Sequence, residues 1–132
     1  MSAPPLVLVV DDYADARAMY VAWLEVSGYR VAEASTAAQA IALAQAEPPA
    51  AILMDLSLPG VDGIEATRRL RADPRTRRVP VVAITGHVEA HVAAAASAAG
   101  CDVFILKPSP APDVVRAIAD LIEAVAAAEA RR

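Results

Sequence analysis

Short apolar runs rich in β-branched residues recur along the chain at Leu6–Val10, Val31–Ala34, Ala50–Met54, Val79–Ile84 and Val103–Leu106. Runs of this length, separated by stretches of helical periodicity, predict five strands alternating with helices. A first helix from Ala14 to Ser27 puts Ala16, Met19, Tyr20, Trp23 and Leu24 on one stripe, read as a core face, with Gly28 as a left-handed cap. A second runs from Ala37 to Ala46, with Ser35 and Thr36 as capping candidates and Pro48 and Pro49 as its stop. The third spans Ile64 to Arg71 after a Pro59–Gly63 turn, and the fourth spans His87 to Ala99 before Gly100. The fifth starts at Pro110 and Pro112 and carries Val114, Ile118, Leu121, Ile122 and Val125 on one face.

Strands that are apolar on both faces belong in a parallel sheet covered by helices on each side. Right-handed crossovers then favour an α/β, doubly wound, flavodoxin-like sheet of order 2-1-3-4-5, a three-layer αβα sandwich. No internal repeat or linker breaks the pattern, so residues 1–132 read as one domain with a core of about 6–125. The pair of arginines after the last helix is read as a natural stop.

The net charge of −4 argues against broad affinity for nucleic acid or an anionic membrane. No apolar run reaches the roughly 18 residues of a membrane span, so a cytoplasmic protein is expected. Cys101, the single cysteine, rules out an internal disulfide and reads as a small buried hydrophobe. Lys107 is the only lysine beside eleven arginines. Six of those arginines fall in the run Arg68–Arg78, read as a solvated helix end and loop, not a nucleic-acid surface, because no aromatic residue is interleaved.

In open α/β sheets ligands bind beyond the carboxyl ends of the strands, where strand order reverses. Strand one ends in Asp11 and Asp12, strand three in Asp55, strand four in Thr85 and strand five in Lys107. Three clustered carboxylates need a cation; oxygen donors suit Mg²⁺, with Mn²⁺ as an alternative. A metal that takes only some of them leaves a carboxylate free as nucleophile, and Asp55 is the candidate. Lys107 would neutralise a phosphoryl oxygen, Thr85 would donate to another, and Gly86 would leave room and offer an N–H. Each residue alone has an ordinary explanation: Asp11 or Asp12 as a helix cap, Asp55 and Thr85 as turn residues, Lys107 as a solvated lysine. Their common position at four strand ends is what those explanations leave unaddressed.

The motifs Val9-Val10-Asp11-Asp12, Met54-Asp55 through Gly63, Ala83-Ile84-Thr85-Gly86 and Phe104-Ile105-Leu106-Lys107-Pro108 resemble those of bacterial response regulator receiver domains, over about Leu6 to Val125. The resemblance implies that Asp55 is the phosphoacceptor, that Asp11, Asp12 and Asp55 with the Ser57 carbonyl bind the metal, and that Lys107 contacts the phosphoryl group. Thr85 and Phe104 would be the switch pair, and the Lys107–Pro108 bond would be cis. A sensor histidine kinase or histidine phosphotransfer protein would donate the phosphoryl group, and self-catalysed hydrolysis would remove it. Ser57 and His87 would lie near the path of attacking water, although His87 reads first as a solvent-facing residue at the start of the fourth helix. The output face would comprise the fourth helix, fifth strand and fifth helix, with a downstream protein or a second copy as its partner. Two other classes stay open. One is a phosphorylation-independent interaction module; the other is an aspartate-nucleophile phosphatase, for which Tyr13 stands where a second aspartate is wanted.

Overall fold

A computed structural model describes residues 3–87 and 89–131. The elements alternate as β1 (Leu6–Val10), α1 (Ala14–Val26), β2 (Arg30–Ala34), α2 (Ala37–Ala46), β3 (Ala51–Asp55), α3 (Gly63–Ala72), β4 (Val81–Thr85), α4 (Ala90–Ala99), β5 (Val103–Leu106) and α5 (Ala111–Ala130). All strand pairs are parallel, and the order is β2-β1-β3-β4-β5, the order expected.

Period-two alternation along the strands divides the core in two. Leu8, Val10, Ile52, Met54, Val81 and Ala83 pack on one face with the alanines of α2 and with Ala66 and Leu70 of α3. Val7, Val9, Leu53, Val82 and Ile84 pack on the other with Tyr20 and Leu24 of α1 and Val114 and Ile118 of α5. β3 and β4 are therefore buried at every residue, while β2, at the sheet edge, is buried only at Ala34. Small side chains form the covered faces of α2 and α4: Ala37, Ala40 and Ala44 of α2 and Ala96 and Ala99 of α4 are buried.

Local chemistry sets the helix ends. Thr36 Oγ1 accepts from Gln39 N at 3.2 Å, and Asp62 Oδ1 accepts from Glu65 N at 2.9 Å, each satisfying an amide that the helix leaves free. Gly100 ends α4 at φ +112°, a conformation that a Cβ disfavours.

Four expectations need correction. Met19 and Trp23 are 42% and 44% exposed, so the core stripe of α1 is narrower and rests on Tyr20 and Leu24, with Ala16 partly buried. α1 is apolar round most of its circumference, and periodicity alone could not select the inward face. β4 starts at Val81, after Pro80, which has no N–H for a ladder, although its carbonyl still accepts from Ile52 N. α4 starts at Ala90; of its expected first residues, His87 precedes the helix and Val88 lies outside the described residues.

The arginine run is the fourth. Arg68 and Arg69 pair with Glu65, and Arg75 with Asp73, as a solvated surface would have it. Arg71 instead turns inward and donates to the carbonyls of Gly100, Val79 and Arg77 and to Asp102 Oδ2. Among the described residues, no helix is long and apolar enough to cross a membrane.

Candidate functional site

Strand order reverses between β1 and β3, and the carboxyl ends of these two central strands carry Asp11 and Asp55 side by side. Asp55 is the last residue of β3, and Asp11 directly follows β1, its amide donating to Ala34 O of β2 at 3.1 Å. Both carboxylates are buried, whereas Asp12 points into solvent. One carboxylate oxygen from each of Asp11, Asp12 and Asp55 lies within 4.8 Å of the others, a set of hard oxygen donors suited to a small divalent cation.

The loops fix each carboxylate through a short-range bond. Asp11 Oδ1 accepts from Tyr13 N at 2.9 Å, and Asp55 Oδ1 accepts from Ser57 N at 2.8 Å. The remaining oxygens face Lys107, whose Nζ donates to Asp11 Oδ2 at 3.3 Å and to Asp55 Oδ2 at 3.4 Å. These contacts are long for charge-assisted bonds, so the ammonium is shared between two acceptors and not held tightly by either.

Burial raises the pKa of Asp55 above its ordinary value; the Ser57 amide and Lys107 pull it down, and Asp11 adds to the rise. For Lys107, burial opposes the charge, but Asp55 and Asp11 outweigh it and raise the ammonium pKa. One lysine facing three carboxylates leaves negative charge uncompensated.

Thr85, fully buried at the end of β4, ties the rim together. Its carbonyl accepts from Lys107 N at 2.7 Å, its Oγ1 accepts from His87 N at 3.2 Å, and that oxygen lies 3.4 Å from Ser57 Oγ. A Cβ built on Gly86 would meet no protein atom within 4 Å, so packing does not demand glycine there and the space beside it is open. The Lys107–Pro108 bond is cis, as the resemblance implied. Phe104 is half-buried against the core beneath α4. His87 is 59% exposed, with Nδ1 3.6 Å from Glu89 Oε2, in agreement with its solvent-facing reading.

One position did not stand out in the residues themselves. A Cβ on Gly63 would collide with Asp55 O and sit 2.8 Å from Leu56 Cα, so only glycine lets α3 start directly against the strand end that carries Asp55. The signal for it was its place at the end of the Asp55–Gly63 motif. Arg17, also not singled out, donates from Nη1 to Asp11 O at 2.8 Å and pairs with Glu33, bracing the loop behind the acidic pair.

Comparison with known proteins agrees with this geometry. The model of the response regulator receiver domain matches residues 7–119. The chain is 39% identical over 111 residues to the phosphate regulon transcriptional regulatory protein PhoB of Pseudomonas aeruginosa, covering 83% of this chain and 48% of PhoB, so it spans about half of that relative. It is 31% identical over 115 residues to the polar-differentiation response regulator DivK of Brucella anthropi, covering 87% of this chain and 94% of DivK. Among solved structures it is similar to the receiver domain of sensor histidine kinase PA1611 from Pseudomonas aeruginosa PAO1, which has a magnesium ion coordinated in the active site cleft. That likeness has a TM-score of 0.84 at 32% identity and covers 92% of this chain and 99% of that one. Sheet order, strand-end chemistry and a match over most of the chain converge, and the chain belongs to the response regulator receiver domain family of two-component signalling.

Proposed function

We propose that this receiver domain is a phosphoacceptor in which Asp55 takes a phosphoryl group from a phosphohistidine of a sensor histidine kinase or histidine phosphotransfer protein. The observation that carries the reading is the buried Asp55 at the switch point of the sheet, with Lys107 within 3.4 Å and two further aspartates alongside. A carboxylate oxygen of Asp55 attacks phosphorus, the P–O bond forms as the P–N bond breaks, and the departing imidazole nitrogen takes up a proton. Asp11, Asp12 and Asp55, with the Ser57 carbonyl, would hold Mg²⁺ or Mn²⁺. The cation would supply charge neutralisation on the phosphoryl oxygens as it does in other phosphoryl transfers. Lys107 exchanges its carboxylate partners for a phosphoryl oxygen, the Thr85 hydroxyl donates to another, and the Gly86 N–H completes the cradle.

The same contacts link the site to an output. Thr85 leaving Ser57 and His87 for the phosphoryl group frees space toward Phe104, whose inward turn would alter the α4–β5–α5 face for a downstream protein or a second copy. Hydrolysis of the acyl phosphate returns the domain to its resting state. Ser57 and His87 border an open recess of about 400 Å³ beside the site, from which water would reach the phosphorus, and so they would tune that rate.

Incubation with acetyl phosphate and Mg²⁺ should attach one hydroxylamine-labile phosphoryl group to Asp55, with labelling abolished in Asp55→Asn. Labelling that persists in the variant would overturn the assignment.

A further inference from the structure

The opposite end of the sheet carries a second concavity with different chemistry. At the amino ends of β3 and β4 a recess of about 420 Å³ opens between the loop before β4 and the last turns of α5. Val79, Pro80, Ile122 and Val125 line it with apolar surface, and Arg77 and Arg78 stand beside them, both exposed. Of the six arginines in this part of the chain, Arg68, Arg69, Arg71 and Arg75 have carboxylate partners; Arg77 and Arg78 have none among the described residues.

The loop that presents them is held firmly. Arg71 Nη1 donates to Arg77 O at 3.2 Å and to Val79 O at 2.7 Å, and Thr76 Oγ1 donates to Leu70 O at 2.7 Å from a buried position. Asp73 Oδ1 accepts from Arg75 N at 2.8 Å, closing the turn from the other side. A fixed backbone with two free guanidinium groups lowers the ordering cost of binding.

We propose that this recess is a docking site for an acidic peptide segment of a partner protein, with one apolar side chain seated on the Ile122–Val125 floor and carboxylates paired with Arg77 and Arg78. Charge complementarity carries the choice, because the chain as a whole is acidic, at −4, and this attraction is local. Nucleic acid fits less well, because no aromatic side chain is present for base stacking, and a free phosphate would leave the apolar floor unused. The site lies at the other end of the strands from Asp55, so it can be filled whatever the state of the phosphorylation site.

The test is selection of a displayed library of short random peptides on the purified chain, followed by NMR titration of the enriched peptides. The expected outcome is a motif of Asp or Glu flanking an apolar residue, saturable shifts confined to residues 74–80 and 122–129, and about tenfold weaker binding to Arg77→Ala/Arg78→Ala. Ala126→Glu, an exposed change that places a carboxylate in the recess, should abolish binding while circular dichroism stays that of the wild type. An enriched motif without acidic residues, equal binding to the double variant, or tighter binding of a single-stranded oligodeoxynucleotide would each overturn the proposal, as would failure to enrich any motif.

Discussion

Two polar clusters at opposite ends of the parallel sheet, one around Asp55 and one around Arg71, are satisfied to very different degrees. At the carboxyl ends, Asp11, Asp12 and Asp55 crowd together, with Lys107 shared between the Asp11 and Asp55 carboxylates, and burial holds Asp55 against its ionised form. At the amino ends, Arg71 has all its donors occupied by carbonyls and by Asp102, which in turn accepts from Val81 N. The saturated cluster stabilises the fold. The unsaturated one is costly until something binds, and a region held in that condition is where ligand binding yields most.

The contrast is sharpest in stability. Arg71→Ala leaves the Gly100 and Val79 carbonyls without their donor and should cost about 2–3 kcal/mol in urea denaturation. Lysine should not restore it, because a point charge cannot serve several carbonyls at once. A loss below about 0.5 kcal/mol would mean that water replaces the guanidinium without penalty.

Asp55→Asn should act in the other direction and by less, raising the denaturation midpoint of metal-free protein at neutral pH. Its folded pKa is raised, mainly by burial, so ionised Asp55 opposes folding; that opposition disappears as pH falls through the raised value toward the unfolded value of 3.8. The gain from the variant should therefore shrink on acidification. A variant less stable than wild type at neutral pH would show that the Lys107 contact outweighs burial.

Smallest of all is Arg75→Ala. The Arg75 side chain beside Asp73 holds that carboxyl at about 2, in an ion pair whose guanidinium is exposed and whose carboxylate is partly covered. Such a depressed group adds stability above the unfolded value that is lost as pH falls through about 2, but solvent screens the pair. NMR titration should find the Asp73 pKa moved upward, toward 3.8, with the denaturation midpoint unchanged. A lowered midpoint would make the pair structural.

Strand positions and strand-end chemistry were readable from the chain because both are local: β-branched runs mark strands, and each candidate residue directly ends one. The sidedness of α1 was not, since Met19, Trp23, Tyr20 and Leu24 are all apolar and only the tertiary neighbours decide which of them are covered. Arg71 was hidden for a related reason. Its acceptors Gly100 and Asp102 are 29 and 31 residues away, and within its own segment it looks like any other arginine. Gly63 is intermediate: its motif marked it, but the collision it avoids becomes visible only when α3 is laid against Asp55 O.

Asp55 closes a strand paired on both sides and buried on both faces, in register with β1 and β4. Its backbone amides should therefore exchange with solvent only when the whole domain opens, and its position is as steady as any in the molecule. Motion coupled to the site must then be carried by the loops after the strands, at Ser57, His87 and Pro108, while the strand itself keeps the Asp55 carboxylate still.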